Sequence, residues 1–148
     1  MVSRVTPPSS CPTSELPPSA RVRVLVVEDD PFTARVMLRA LERRCNASAI
    51  LDGEDARDAL ASEDPDDPYD LVLLDLCMPK LRGREVYEWL ASAAPELAAR
   101  VVIVTGGPTC PADIEFIASF PNPILYKPLL LEDLLAVVGR RARRDSAA

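Results

Sequence analysis

Glu28, Asp29 and Asp30 follow directly on the β-branched run 22–27, Asp75 follows the run 71–74, Thr105 follows 101–104, and Lys127 follows 124–126. Three carboxylates gathered in one pocket repel one another and raise one another's pKa unless a cation lies between them. A hard divalent ion with oxygen ligands and retained waters answers that need, and Mg²⁺ is the usual one. A lysine ammonium suits a phosphate oxygen as a point charge, and a threonine hydroxyl can donate to a second oxygen. A carboxylate placed among such groups can act as a nucleophile toward a phosphoryl group, with the cations stabilising charge on the transferred oxygens.

These residues can meet only if the runs before them are strands of one parallel sheet. The five runs are 22–27, 45–51, 71–74, 101–104 and 124–126, of which the second is the weakest in apolar content. Stretches of helical period separate them, at 31–44, 54–61, 84–93, 112–119 and 130–143. In the first of these Asp30 can cap, Pro31 can fill the first turn, and Phe32, Val36, Leu38 and Leu41 form the expected core stripe. The last would bury Leu131, Leu134, Leu135 and Val138. Strands alternating with helices predict an α/β fold, a doubly wound parallel five-stranded sheet with helices on both faces. Sites in such sheets lie beyond the carboxyl ends of the strands, where these residues stand.

Length and composition bound the rest. The 148 residues, 48% hydrophobic and 27% charged, suffice for one domain with a real core. Residues 1–20, with five prolines and five serines, predict a disordered tail, and 144–148 a short C-terminal one. The net charge of −6 argues against nucleic acid as a partner. The cluster Arg140, Arg141, Arg143, Arg144 reads as the last turn of a helix, where cations suit the macrodipole. No apolar run reaches membrane-spanning length and no secretory signal opens the chain, so a cytoplasmic location is expected. The absence of histidine excludes Ser-His-Asp and Cys-His catalysis. Cys11, Cys45, Cys77 and Cys110 form no close pair and read as small buried hydrophobes. No dinucleotide-binding glycine loop follows the first strand, and Cys77 occupies the position where an Asp-nucleophile phosphatase needs its second acid.

The set Glu28-Asp29, Asp75 with Met78-Pro79, Thr105-Gly106 and Lys127-Pro128, in this order on five alternating units, resembles the receiver domain of two-component response regulators (CheY-like) over about residues 21–143. The resemblance implies a flavodoxin-like (βα)5 fold. It implies that Asp75 accepts a phosphoryl group from a phosphohistidine, on a sensor histidine kinase or a histidine phosphotransfer protein, in a Mg²⁺-dependent reaction. Asp29 and Asp75 would ligate the metal, Glu28 would hold it through water, and the backbone carbonyl of Cys77 would complete the protein ligands. Thr105 would move to the new phosphoryl oxygen, Lys127 would pair with another, and the Lys127–Pro128 bond would be cis. The chain would be a phosphoacceptor rather than an enzyme, at most catalysing its own phosphorylation and dephosphorylation. With only a short tail after its last helix, it reads as a stand-alone receiver acting on a downstream protein, by phosphorelay or as a homodimer. Where the family usually carries Tyr or Phe, three residues before the lysine, this chain has Ile124. With the loop 106–111 this motivates the alternative, a receiver-like interaction module whose switching is atypical or independent of phosphorylation.

Overall fold

The β-branched runs pair as the pattern demands. A computed structural model describes residues 21–146, so the expected tail at 1–20 and Cys11 lie outside the described residues. Its elements are β1 Val22–Val27, α1 Pro31–Leu41, β2 Cys45–Ile50, α2 Gly53–Ala61, β3 Leu71–Asp75, α3 Gly83–Ala93, α4 Pro95–Ala98, β4 Val101–Thr105, α5 Pro111–Ser119, β5 Ile124–Tyr126 and α6 Leu131–Ser146. All strand pairs are parallel, in the order β2-β1-β3-β4-β5. The central strands β3 and β4 are buried at every residue and are apolar on both faces up to their last residues, Asp75 and Thr105. At one edge, β2 is only partly covered, which is why its sequence CNASAI alternates instead.

Two cores flank the sheet. Leu25, Val27, Val72, Leu74, Val101 and Ile103 face α2, α3, α4 and α5 through Ala56, Leu60, Val86, Leu90, Leu97 and Phe116. The alternate residues Val24, Val26, Leu71, Leu73, Val102 and Val104 face α1 and α6 through Met37, Leu41, Leu134, Val137 and Val138. This is the expected doubly wound arrangement. Among the described residues, no helix is long and apolar enough to cross a membrane.

Several local expectations need correction. In α1 the sheet takes the stripe Ala34, Met37 and Leu41, leaving Phe32 74% and Val36 52% exposed. The helix carries apolar residues around more of its surface than the sheet can cover, so the pattern offered two stripes and packing chose one. The same holds in α6, where Leu134, Val137 and Val138 are buried and Leu131 is exposed. That helix runs three residues past the expected end at 143. One turn, α4, was not expected, because four residues are too few to show a period. Among the described cysteines, Cys45 is buried, whereas Cys77 and Cys110 are half-buried.

Candidate functional site

Register brings the strand ends level. Val27 lies beside Leu74, and Asp75 beside Val104, so the residues following each strand emerge at one edge. The ladders continue past the strands: Glu28 N–H donates to the Ile50 carbonyl, Leu76 N–H to Val104 and Lys127 N–H to Thr105. Asp75 is the last residue of the middle strand, between the acidic pair after β1 and Thr105 at the end of β4.

The carboxylates of Glu28, Asp29 and Asp75 offer oxygens that all lie within 4.8 Å of one another. Glu28 and Asp75 are only 2% and 3% exposed. The Lys127 ammonium donates to Glu28 Oε2 at 2.9 Å and more loosely to Asp75 Oδ2 at 3.5 Å. Cys77 N–H donates to Asp75 Oδ1 at 3.1 Å. Glu28 and Asp75 thus share one cation, with the Asp29 carboxylate beside them. Burial, with the Glu28 charge beside it, pushes the Asp75 carboxyl up to about 7 against the opposing pull of the Cys77 N–H and Lys127. Burial disfavours the Lys127 charge, but the Glu28 hydrogen bond and the Asp75 charge outweigh it and hold the ammonium pKa above its usual value. The donor set is hard oxygen, and its excess negative charge fits a divalent cation such as Mg²⁺.

These groups line a cleft of about 460 Å³ together with Asp30, Thr33, Cys77 and the loop 106–109. Asp30 caps α1, accepting from the Phe32 and Thr33 N–H groups. Thr105 is fully buried, and its hydroxyl is engaged by the cleft loop. It accepts from Gly107 N–H at 3.0 Å and lies 3.2 Å from the Gly107 carbonyl. Gly107 has φ +123°, a conformation that favours glycine and lets the loop fold back on Thr105. Gly83 permits another close approach, because a Cβ there would stand 2.1 Å from the Asp75 carbonyl oxygen. The Lys127–Pro128 bond is cis.

All six expected site residues therefore gather at one sheet edge. Two features were not foreseen. Arg82 and Asp113 tie Thr109 at the far end of the cleft loop; Asp113 reads in sequence only as a first-turn acid after Pro111. Beside Lys127, an apolar groove of about 280 Å³ runs between Phe32, Val36 and Met37 of α1 and the segment 128–131. Its signal was the second apolar stripe of α1.

The model of the response regulator receiver domain matches residues 24–139. The response regulator MprA of Mycolicibacterium vanbaalenii is 32% identical over 126 residues, covering 84% of this chain and 52% of that protein. MprA of Mycobacterium bovis is 31% identical over 131 residues, covering 86% and 54%. The match thus spans about half the length of these relatives, and the stand-alone reading has no counterpart in them. Among solved structures, a Francisella response regulator receiver domain aligns with TM-score 0.69 at 23% identity, covering 84% of this chain and 99% of that one. A CheY-like receiver domain protein from Methanospirillum hungatei aligns with TM-score 0.71 at 19% identity, covering 86% and 98%.

Proposed function

We infer the function of this chain from its family: it belongs to the response regulator receiver domains, which are signalling domains of two-component systems rather than classical enzymes. Its proposed role is to accept a phosphoryl group on Asp75 from a phosphohistidine of a sensor kinase or phosphotransfer protein. It then signals through protein contacts or hands the group on. The observation that carries this reading is the buried pair Glu28 and Asp75 sharing Lys127, with the Asp29 carboxylate beside them at the mouth of the sheet.

In the proposed reaction a carboxylate oxygen of Asp75 attacks phosphorus, the bond from phosphorus to the histidine nitrogen breaks, and the imidazole keeps the electron pair. Attack needs Asp75 ionised, and with its pKa near 7 the metal-free carboxyl is only partly so at neutral pH. Mg²⁺ held by Asp29, Asp75 and the Cys77 carbonyl, with Glu28 behind a water, would supply positive charge against the carboxylates and the transferred oxygens. Lys127 already reaches Asp75 Oδ2 and needs only a small shift to pair with a phosphoryl oxygen. Thr105 would leave Gly107 to donate to another.

The partner's place is proposed from the apolar groove, which opens beside Lys127 and exposes Phe32, Val36, Leu130 and Leu131. A helix presenting a phosphohistidine would lay its apolar side there. One observation favours an atypical switch: Ile124 packs against the core cluster, while the neighbouring aromatic, Tyr126, is already 57% exposed.

The test is intact mass after incubation with Mg²⁺ and a small phosphoryl donor, then with a competent kinase. A gain of one phosphoryl group that requires both the metal and Asp75 is the expected result. A gain retained in Asp75→Asn would defeat the assignment. Partner affinity unchanged by a stable phosphoryl mimic would favour the phosphorylation-independent module.

A further inference from the structure

The cleft loop is tied at both ends, by different chemistry. Near Asp75 the knot is Thr105 with Gly107. At the other end Asp113, fully buried in the first turn of α5, accepts from Thr109 N–H at 3.3 Å, Thr109 Oγ1 at 2.9 Å and Arg82 Nη2 at 3.0 Å. Arg82 Nη2 also donates to Thr109 Oγ1 at 2.8 Å. Arg82 comes from the segment between β3 and α3, so the knot joins the Asp75 side of the cleft to α5 across the loop. Thr109 Oγ1 is 3.9 Å from Cys77 Sγ, which is itself 3.9 Å from the Gly107 carbonyl.

A buried carboxylate is costly unless it is paired. Burial works to raise the Asp113 pKa, but the Thr109 hydrogen bonds and the Arg82 charge outweigh it, so the group stays ionised below the usual carboxylate range. Its shortest bonds go to the loop residue and to the arginine that braces it, and the Cys110 side chain adds to the same stabilisation. Asp113 Oδ1 and Arg82 Nε are nevertheless buried without a hydrogen-bond partner. A knot serving stability alone would do better with both atoms satisfied or with apolar residues in their place. When Thr105 turns to a phosphoryl oxygen it releases Gly107, and beyond the weak Cys77 Sγ contact the loop then relies on the tie at Thr109.

We propose that Arg82 and Asp113 are positioning residues that hold the 106–109 loop over the phosphorylated Asp75 and thereby set the lifetime of the acyl phosphate. This rests on Asp75 being the acceptor. The step controlled is hydrolysis: a water oxygen bonds to phosphorus, the bond from phosphorus to the Asp75 oxygen breaks with its electron pair returning to the carboxylate, and a water proton leaves with inorganic phosphate. A braced loop keeps residues 106–109 in the wall of the cleft that holds Asp75, whereas a loose one opens that wall to water.

The experiment labels Asp75, removes the donor and follows first-order loss of the phosphoryl group at fixed Mg²⁺, with thermal unfolding measured beside it. Arg82→Ala and Asp113→Asn are each expected to shorten the lifetime about tenfold, the scale on which a misplaced positioning contact acts. The double variant should be no faster than either single one, Arg82→Lys should restore the lifetime to within about twofold, and the KM for a small donor should stay put. Thr109→Val removes both hydroxyl bonds without unpairing a buried charge and should shorten the lifetime equally if Asp113→Asn does not fold. Lifetimes within about twofold of the parent in Arg82→Ala and Thr109→Val would overturn the proposal, as would multiplicative effects in the double variant. A parent chain that never takes label at Asp75 is a different result, and refutes the functional reading instead.

Discussion

Replacing Asp75 by asparagine should stabilise the metal-free protein at pH 8. Asp75 is 3% exposed, and its pKa rises from 3.8 to about 7 on folding. Between those two values the folded chain holds a proton that the unfolded chain has released, so stability falls as the pH rises, and the penalty of ionising this group is reached in full above the folded value. A gap of about 3 units, at 1.36 kcal/mol per unit, sets a ceiling of about 4 kcal/mol. The asparagine keeps an oxygen for the Cys77 N–H bond and loses only the 3.5 Å Lys127 contact, whose partner is held more tightly by Glu28 at 2.9 Å. Subtracting about 1 kcal/mol for that contact leaves a net gain of roughly 2 to 3 kcal/mol. For a domain of this size that is a rise in Tm of about 6 to 10 °C.

The assay is thermal unfolding by circular dichroism in EDTA, at steps from pH 4 to pH 8, for both proteins. Their Tm difference should grow as the pH is raised. Saturating Mg²⁺ should narrow or reverse it, since a ligand at 100 times its Kd adds about 2.7 kcal/mol to the chain that binds it and less to the variant lacking a ligand oxygen. An asparagine variant no more stable than the parent at pH 8 in EDTA would refute the reasoning, and so would a gap equal at pH 5 and pH 8.

Other outcomes follow from single contacts. Gly83→Ala drives a Cβ to 2.1 Å from the Asp75 carbonyl oxygen and 2.8 Å from the Leu76 Cα, so it should cost at least about 2 kcal/mol by denaturant midpoint and slow labelling of Asp75. Val36→Asp, on the exposed stripe of α1, should leave Tm and labelling by a small donor unchanged while weakening transfer from a phosphohistidine protein at least about tenfold; protein-donor transfer equal to the parent's would remove the groove as the docking place. Leu41→Ala, in the same helix but fully buried, should cost about 2 to 5 kcal/mol, and a smaller loss would mean that the helix repacks easily.

What the sequence disclosed and what it withheld divide along physical lines. Strands β1, β3 and β4 were legible because a strand covered on both faces must be apolar throughout, and the order of acid, acid, hydroxyl and ammonium after them was legible because a parallel sheet aligns those ends. The face of α1 was not: Phe32 and Val36 belong to one apolar stripe, Met37 and Leu41 to its neighbour, and only the packed sheet shows which is covered. The partner of Asp113 was hidden for another reason, since Arg82 lies 31 positions away on a separate loop and neither residue carries a local pattern that points to the other. Thr105 could be assigned to the site but not its present bond to Gly107, which depends on a left-handed backbone turn.

The Lys127–Glu28 pair spans 99 positions, and this separation bears on how the protein is made. A chain growing from its N-terminus presents Glu28, Asp29 and Asp75 well before the one ammonium that relieves them. At about 5 to 20 residues per second, the stretch between the end of β4 and Lys127 occupies a second or more of synthesis. Through that interval β1 and β3 must pair against the repulsion of their own ends, or wait. Arrival of the short β5 at the sheet edge then completes the sheet and brings the ammonium to Glu28 and Asp75. Ribosome-bound chains arrested before Lys127 should therefore stay unlabelled by a phosphoryl donor; labelling of such chains would show that the ammonium is dispensable.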